Sequence, residues 1–159
     1  MTTKDDFTEE EWVRVVRAPF VAGLAITLAD PGGPFEAAKE TMATMKTATN
    51  PPSREQLLAE VALEVQAMAQ EKHHPLKGYR PTNGGSTGQQ VLDELREVQA
   101  IVTAKANPAE ATAFAGWLVA SAKAAAEAAK EGGFMGFGAQ QVSEREEAML
   151  DQVREAVAQ

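Results

Sequence analysis

Four times the chain writes the same signal for the start of a helix: a short polar side chain that can cap the backbone, followed three residues on by one that can return the bond. The pairs are Thr8 with Glu11, Ser53 with Gln56, Asn107 with Glu110 and Ser143 with Glu146. Each sets an oxygen against the free N–H groups of a first turn and is followed by apolar residues at 3–4 spacing. At "FTEEEW" a hydrophobic staple is added, because Phe7 precedes the cap and can pack on Trp12. No segment combines strand-like alternation with β-branched or aromatic enrichment. The expected fold class is therefore all-α, a single-domain bundle of about six helices.

The punctuation also sets bounds. A first helix over 8–30 carries Trp12, Val15, Val16, Phe20, Leu24 and Leu28 on one face, with Pro19 removing a backbone donor near Ala18 and giving one bent helix or two short ones. "ADPGGP" ends it, and Pro34 suits the first turn of a second helix over 34–47, whose inward stripe is expected to be Phe35, Ala38, Met42 and Met45. A third helix, 53–72, uses Leu58, Val61, Val65 and Met68, and a fourth, 87–105, uses Val91, Leu95, Val98 and Val102. The fifth, 108–131, buries Phe114, Trp117, Leu118 and Ser121 before turning alanine-rich, which suits close approach of a neighbour opposite Gly23. The sixth, 143–158, faces Met149, Leu150, Val153 and Val157 inward. Two irregular stretches remain, 73–86 and 132–142, and the first is long enough to suggest mobility or function.

Composition removes several classes of function. Without cysteine there is no thiol catalysis, zinc-thiolate site or iron-sulfur cluster. A net charge of -8 with no long basic run repels phosphate backbones, so no nucleic acid is expected as a partner. The acidic start "MTTKDDFTEEEW" is unlike a signal peptide, and the run "APFVAGLAITLA" is about half a membrane span, so a cytoplasmic protein without membrane insertion is expected. His73 and His74 are the only imidazoles, and no serine stands in a nucleophile-elbow context. Glu71 and His74 have the Glu-x-x-His spacing of di-iron bundles once only, and Pro75 pulls His74 out of helical geometry. No catalytic residue is assigned.

Two sets of residues carry the candidate function. Asp30 at the end of the first helix and Glu127 with Glu131 at the end of the fifth stand where the helix dipole disfavours negative charge. Either solvated pairing with Lys123 and Lys130 suffices, or Asp30, Glu36, Glu40, Glu127 and Glu131 gather oxygens for a hard cation, calcium or magnesium. The stretch "GGFMGFG" must bury Phe134, Met135 and Phe137 to become ordered. They plug the end of the bundle, cover a pocket, or anchor a protein partner or second copy; His73, His74 and Tyr79 complete the pocket or partner set.

The junctions "ITLADPGGPFEAAKE" and "AEAAKEGGFMGFGAQQVSEREEAML" each run from an alanine-rich helix through an acid and glycines into a helix with early Glu. In this they resemble the TerB-like tellurite-resistance proteins, with Pro31 intruding in the first turn and Glu131 standing where Asp is usual. The resemblance implies an all-helical domain with Asp30, Glu40, Glu131 and Glu146 at the acidic positions of a cleft, and a stress-associated or scaffolding role with metal binding. "FTEEEW", "RAPFVAGLA", "LADPGGP" and "EGGFMGFG" together also resemble a small all-helical bacterial family without assigned function. The expected function is non-enzymatic binding or scaffolding; the alternative is a small-molecule-binding protein or enzyme whose pocket is closed by the loops 73–86 and 132–141.

Overall fold

The computed structural model describes residues 2–30, 34–80, 86–130 and 143–158. Among them a 3-10 turn at Lys4–Asp6 precedes six α-helices: α1 (Glu9–Ala29), α2 (Pro34–Thr49), α3 (Gln56–Gln70), α4 (Thr87–Lys105), α5 (Pro108–Lys130) and α6 (Glu144–Val157). No strand occurs among the described residues, and the all-α expectation is met.

Two of the four start signals form both bonds of the box, and a third forms its capping bond. The Glu11 N–H donates to Thr8 Oγ1 at 3.1 Å and the Thr8 N–H donates to Glu11 Oε1 at 2.9 Å, with Phe7 stapled on Trp12 at 5.7 Å between ring centroids. Ser143 and Glu146 exchange the same two bonds at 3.2 Å each, and the Glu110 N–H donates to Asn107 Oδ1 at 2.8 Å. The fourth does not. The Ser53 hydroxyl accepts from the Glu55 N–H two residues on, at 3.4 Å, so α3 begins at Gln56, three residues later than expected, and Glu55 at its cap makes no side-chain capping bond. A serine turn of this kind competes with a cap for the same oxygen.

Helix α1 is the axis of the domain. From Ala18 to Ile26 every residue except Leu24 is buried, and α1 packs against all five other helices. By length and composition it would also be sufficient to cross a membrane; here its apolar circumference is covered by its neighbours, the arrangement a helix hydrophobic all round requires. At Pro19 a single unbroken helix forms rather than two short ones. Around α1 the neighbours touch in sequence, α2 with α5, α5 with α6 and α6 with α4, while α3 packs beside α2 and α5. Arg14 ties α1 to α4 by donating from Nε to Glu94 Oε1 at 3.1 Å and from Nη2 to Glu97 Oε2 at 2.6 Å. Trp117 ties α5 to α2: its indole N–H donates to the Thr47 carbonyl at 2.9 Å, and its ring, fully buried, stands edge-on to Phe114 at 6.3 Å.

The apolar faces of α4, α5 and α6 lie inward where periodicity puts them. Helix α2 is the correction. Phe35 is 84% and Met42 72% exposed, Ala38 is exposed, and Met45 is half-buried, whereas Glu40, Thr44 and Ala48 are buried. The reason is distance. A Cβ placed on Gly23 would come within 2.4 Å of Thr44 Oγ1, so α2 approaches α1 so closely there that a side chain as short as Thr44 fills the gap between the backbones. Phe35 and Met42 are too large for that gap and turn outward. Gly23 therefore meets Thr44 of α2 instead of the alanines of α5.

Replacing Gly23 by Ala should cost about 1–3 kcal/mol, the usual penalty of overpacking. Thr44→Ala in the same chain removes the clashing hydroxyl and should restore most of that loss, so chemical denaturation of both singles and the double should give a strongly favourable coupling energy. Additive losses would show that Gly23 is not confined by Thr44.

Candidate functional site

The site begins where α3 ends. The His73 N–H donates to the Met68 carbonyl at 2.8 Å and the Lys72 N–H to the Ala69 carbonyl at 3.1 Å, a Schellman closure with Lys72 in the left-handed region at φ 61°. This reversal sends the chain back across α1. The His74 carbonyl then accepts from the Lys77 N–H at 2.9 Å and the Leu76 carbonyl from the Tyr79 N–H at 2.9 Å, with Gly78 at φ 82°. The stretch expected to be an irregular loop is thus hydrogen-bonded turns as far as Arg80. The turns lie over α1, with His74 and Leu76 on its α2 side; on the other side Tyr79 stacks under the Arg17 guanidinium at 5.0 Å, near Glu94 of α4.

Between α1, α2 and these turns lies a cleft of about 230 Å³. Its apolar walls come from Phe20, Leu24, Ala37 and Leu76, and its polar groups from Thr27, Glu40, Thr41, Thr44 and His74. The Thr41 and Thr44 hydroxyls donate to carbonyls of their own helix, Ala37 at 2.9 Å and Glu40 at 2.8 Å. That leaves Glu40 and His74 as the groups with chemistry to offer.

Glu40 is 3% exposed, and its carboxyl accepts a hydrogen bond from the Thr27 hydroxyl. Burial pushes the carboxyl up from the ordinary value of 4.5; Thr27 opposes this, and the charges of Glu146, Glu36 and Asp30 add to it. His74 packs edge-on against Phe20 at 5.2 Å, and burial pushes its imidazole down from 6.5. The Leu76 N–H donates to His74 Nδ1 at 3.1 Å, which fixes the proton of the neutral ring on Nε2. That Nε2–H is buried and has no hydrogen-bond partner among the described residues. With Nδ1 taken by the Leu76 N–H and Nε2 without a partner, His74 shares the cleft with Glu40 without being hydrogen-bonded to it.

Of the residues expected to bind metal, Glu40 lines the cleft, and Asp30 and Glu36 are close enough to bear on its charge. Glu127 lies in a separate groove with Ala43, Lys46, Thr47 and Asn50, and Glu131 lies outside the described residues. No three His, Asp or Glu side chains among the described residues are grouped so as to hold a metal ion. Of the residues expected at a pocket, His74 is on the wall, His73 is exposed with Nδ1 3.8 Å from Glu71, Tyr79 stacks with Arg17, and Phe134, Met135 and Phe137 lie outside the described residues. Sequence reasoning missed Thr27, Thr41 and Thr44 as wall residues; the one signal was the run of threonines at helical spacing in "TMATMKTAT". No family model, curated protein or solved structure matches the chain.

The two shifts act on stability with opposite signs. A raised carboxyl contributes stability that is present below 4.5 and lost as pH rises through its folded value; a lowered imidazole contributes stability that is present above 6.5 and lost as pH falls through its folded value. Glu40→Gln keeps an acceptor for Thr27 and removes the charge. It should raise Tm at pH 8 and lose that advantage below pH 4.5 in a pH series of thermal melts. A variant less stable than the parent at pH 8 would mean that the carboxylate is paired in the fold.

Proposed function

We propose that this protein binds a small, mainly apolar molecule in the cleft between α1, α2 and the turns after α3. The observation that carries this reading is an apolar-walled cleft whose polar groups include a buried carboxyl and a buried imidazole N–H without a partner. Apolar walls with a few convergent polar groups are the usual composition of ligand sites. The volume indicates size: a dry cavity of roughly 150 Å³ takes one benzene ring, so this cleft suits a single ring or short alkyl chain with one polar end. Binding is favoured over catalysis because among the described residues of the cleft no nucleophile stands beside a base. Glu40 and His74 are not hydrogen-bonded to each other, and the Thr41 and Thr44 hydroxyls are engaged with their own helix. Of the two expected functions, this supports the small-molecule reading, with the 73–86 loop supplying one wall through His74 and Leu76.

The test is titration of small aromatic and alkyl fragments followed by amide NMR. Saturable shifts should concentrate on Thr27, Thr41 and Leu76, at affinities of about 0.1–1 mM for molecules of this size. Ala37→Trp, which fills the cleft from a half-buried position, should abolish them while leaving the fold intact. Shifts scattered over the surface, or untouched by that substitution, would sink the reading.

A further inference from the structure

We infer that the ligand of this cleft is a small organic cation, an ammonium group on an apolar body, with Glu40 as its counter-ion. The inference rests on the cleft being a ligand site and adds the chemistry of the occupant.

The structure contains a buried acid without a base. Glu40 lines the cleft and is buried, and among the described residues its hydrogen bond comes from a neutral hydroxyl and no lysine or arginine pairs with it. Among the described residues the charged groups that bear on it are acids: Asp30 from the end of α1, Glu36 one turn earlier on α2, and Glu146 from the first turn of α6. Across the cleft His74 is held neutral by burial. Glu146 itself is buried, with Oε2 lacking a hydrogen-bond partner among the described residues. A buried carboxylate is costly unless a positive partner is supplied. The described residues supply none, and a ligand ammonium would.

The surroundings select for that class. A buried acid on the wall, with three further acids bearing on its charge, favours cations over anions. Leu24, Ala37 and Leu76 then cover the apolar part. A hard metal ion is a poorer match, because calcium takes six to eight oxygens and the cleft offers one carboxyl with hydroxyls already bound to their own helix.

Two organic probes of one shape, 2-phenylethylamine and its neutral counterpart 2-phenylethanol, and magnesium or calcium alone separate the cases. Binding is read by calorimetry and thermal shift on the parent, on Glu40→Gln, and on Glu127→Gln as a control in the separate groove. The amine should bind the parent at least tenfold more tightly than the alcohol. Its affinity should grow as pH rises through the Glu40 pKa, because the amine remains charged until roughly pH 10. In Glu40→Gln the two should become equal, without loss of fold or of alcohol binding, whereas Glu127→Gln should keep the preference. Equal affinity for amine and alcohol in the parent would overturn the organic cation and leave the cleft standing as a ligand site. Binding of neither would overturn both readings. A Glu40-dependent shift with magnesium or calcium but not with the amine would overturn the inference in favour of a metal site.

Discussion

Helix α1 is apolar around its whole circumference between Ala18 and Ile26, and it is satisfied only by being surrounded. Everything else in the architecture serves that requirement. Fully burying each large side chain contributes about 1.5–3 kcal/mol, so Val15, Phe20, Val21 and Ile26 together outweigh any local preference of the helices around them. The flank facing α2 carries Gly23, and there the two backbones are so close that Thr44 occupies the place of a Cβ. The side chains of α2 that fit such an interface are short, and in this sequence the short ones are threonines and alanines. The polar lining of the cleft thus follows from packing distance: the edge that brings Thr44 to Gly23 also carries Glu40, one turn earlier, opposite Thr27.

How much of this could be read from the sequence depends on the range over which each feature is decided. The starts of α1, α5 and α6 were legible because each cap and the N–H it binds lie within four residues. The inward faces of α4, α5 and α6 were legible because their large apolar residues recur at helical spacing and nothing competes with them. Helix α2 was misread for a physical reason. Periodicity reports which face is greasy, whereas the interior-facing side was chosen by size, so Phe35 and Met42 face outward and Glu40 and Thr44 inward. Of the site, His74 and Glu40 were named as candidates, but on separate lists. What unites them is the turn after Lys72 that lays His74 against Phe20, a contact between residues far apart in the chain.

Glu146 shows one residue serving two levels of structure. Its Oε1 accepts from the Ser143 N–H and closes the capping box of α6, a purely local bond. Its charge nevertheless bears on Glu40 of α2, because α6 starts close to the cleft. A start signal legible from four letters of sequence therefore also sets part of the electrostatic field of the site. With Asp30 and Glu36 it makes one end of the bundle acidic.

Trp117 gives the molecule a property of a different kind. Its indole N–H is bound to the last turn of α2 while its ring is sealed in the core, and α2 is also the helix that carries Glu40 and Thr44. The other tryptophan, Trp12, lies at the beginning of α1 against Phe7, remote from that junction in the sequence. The chain consequently holds two chromophores with separate duties. An occupant that displaced α2 would alter the emission of Trp117 through its hydrogen bond, with Trp12 as an internal reference, so occupancy of the proposed cleft would have an optical readout without any added label.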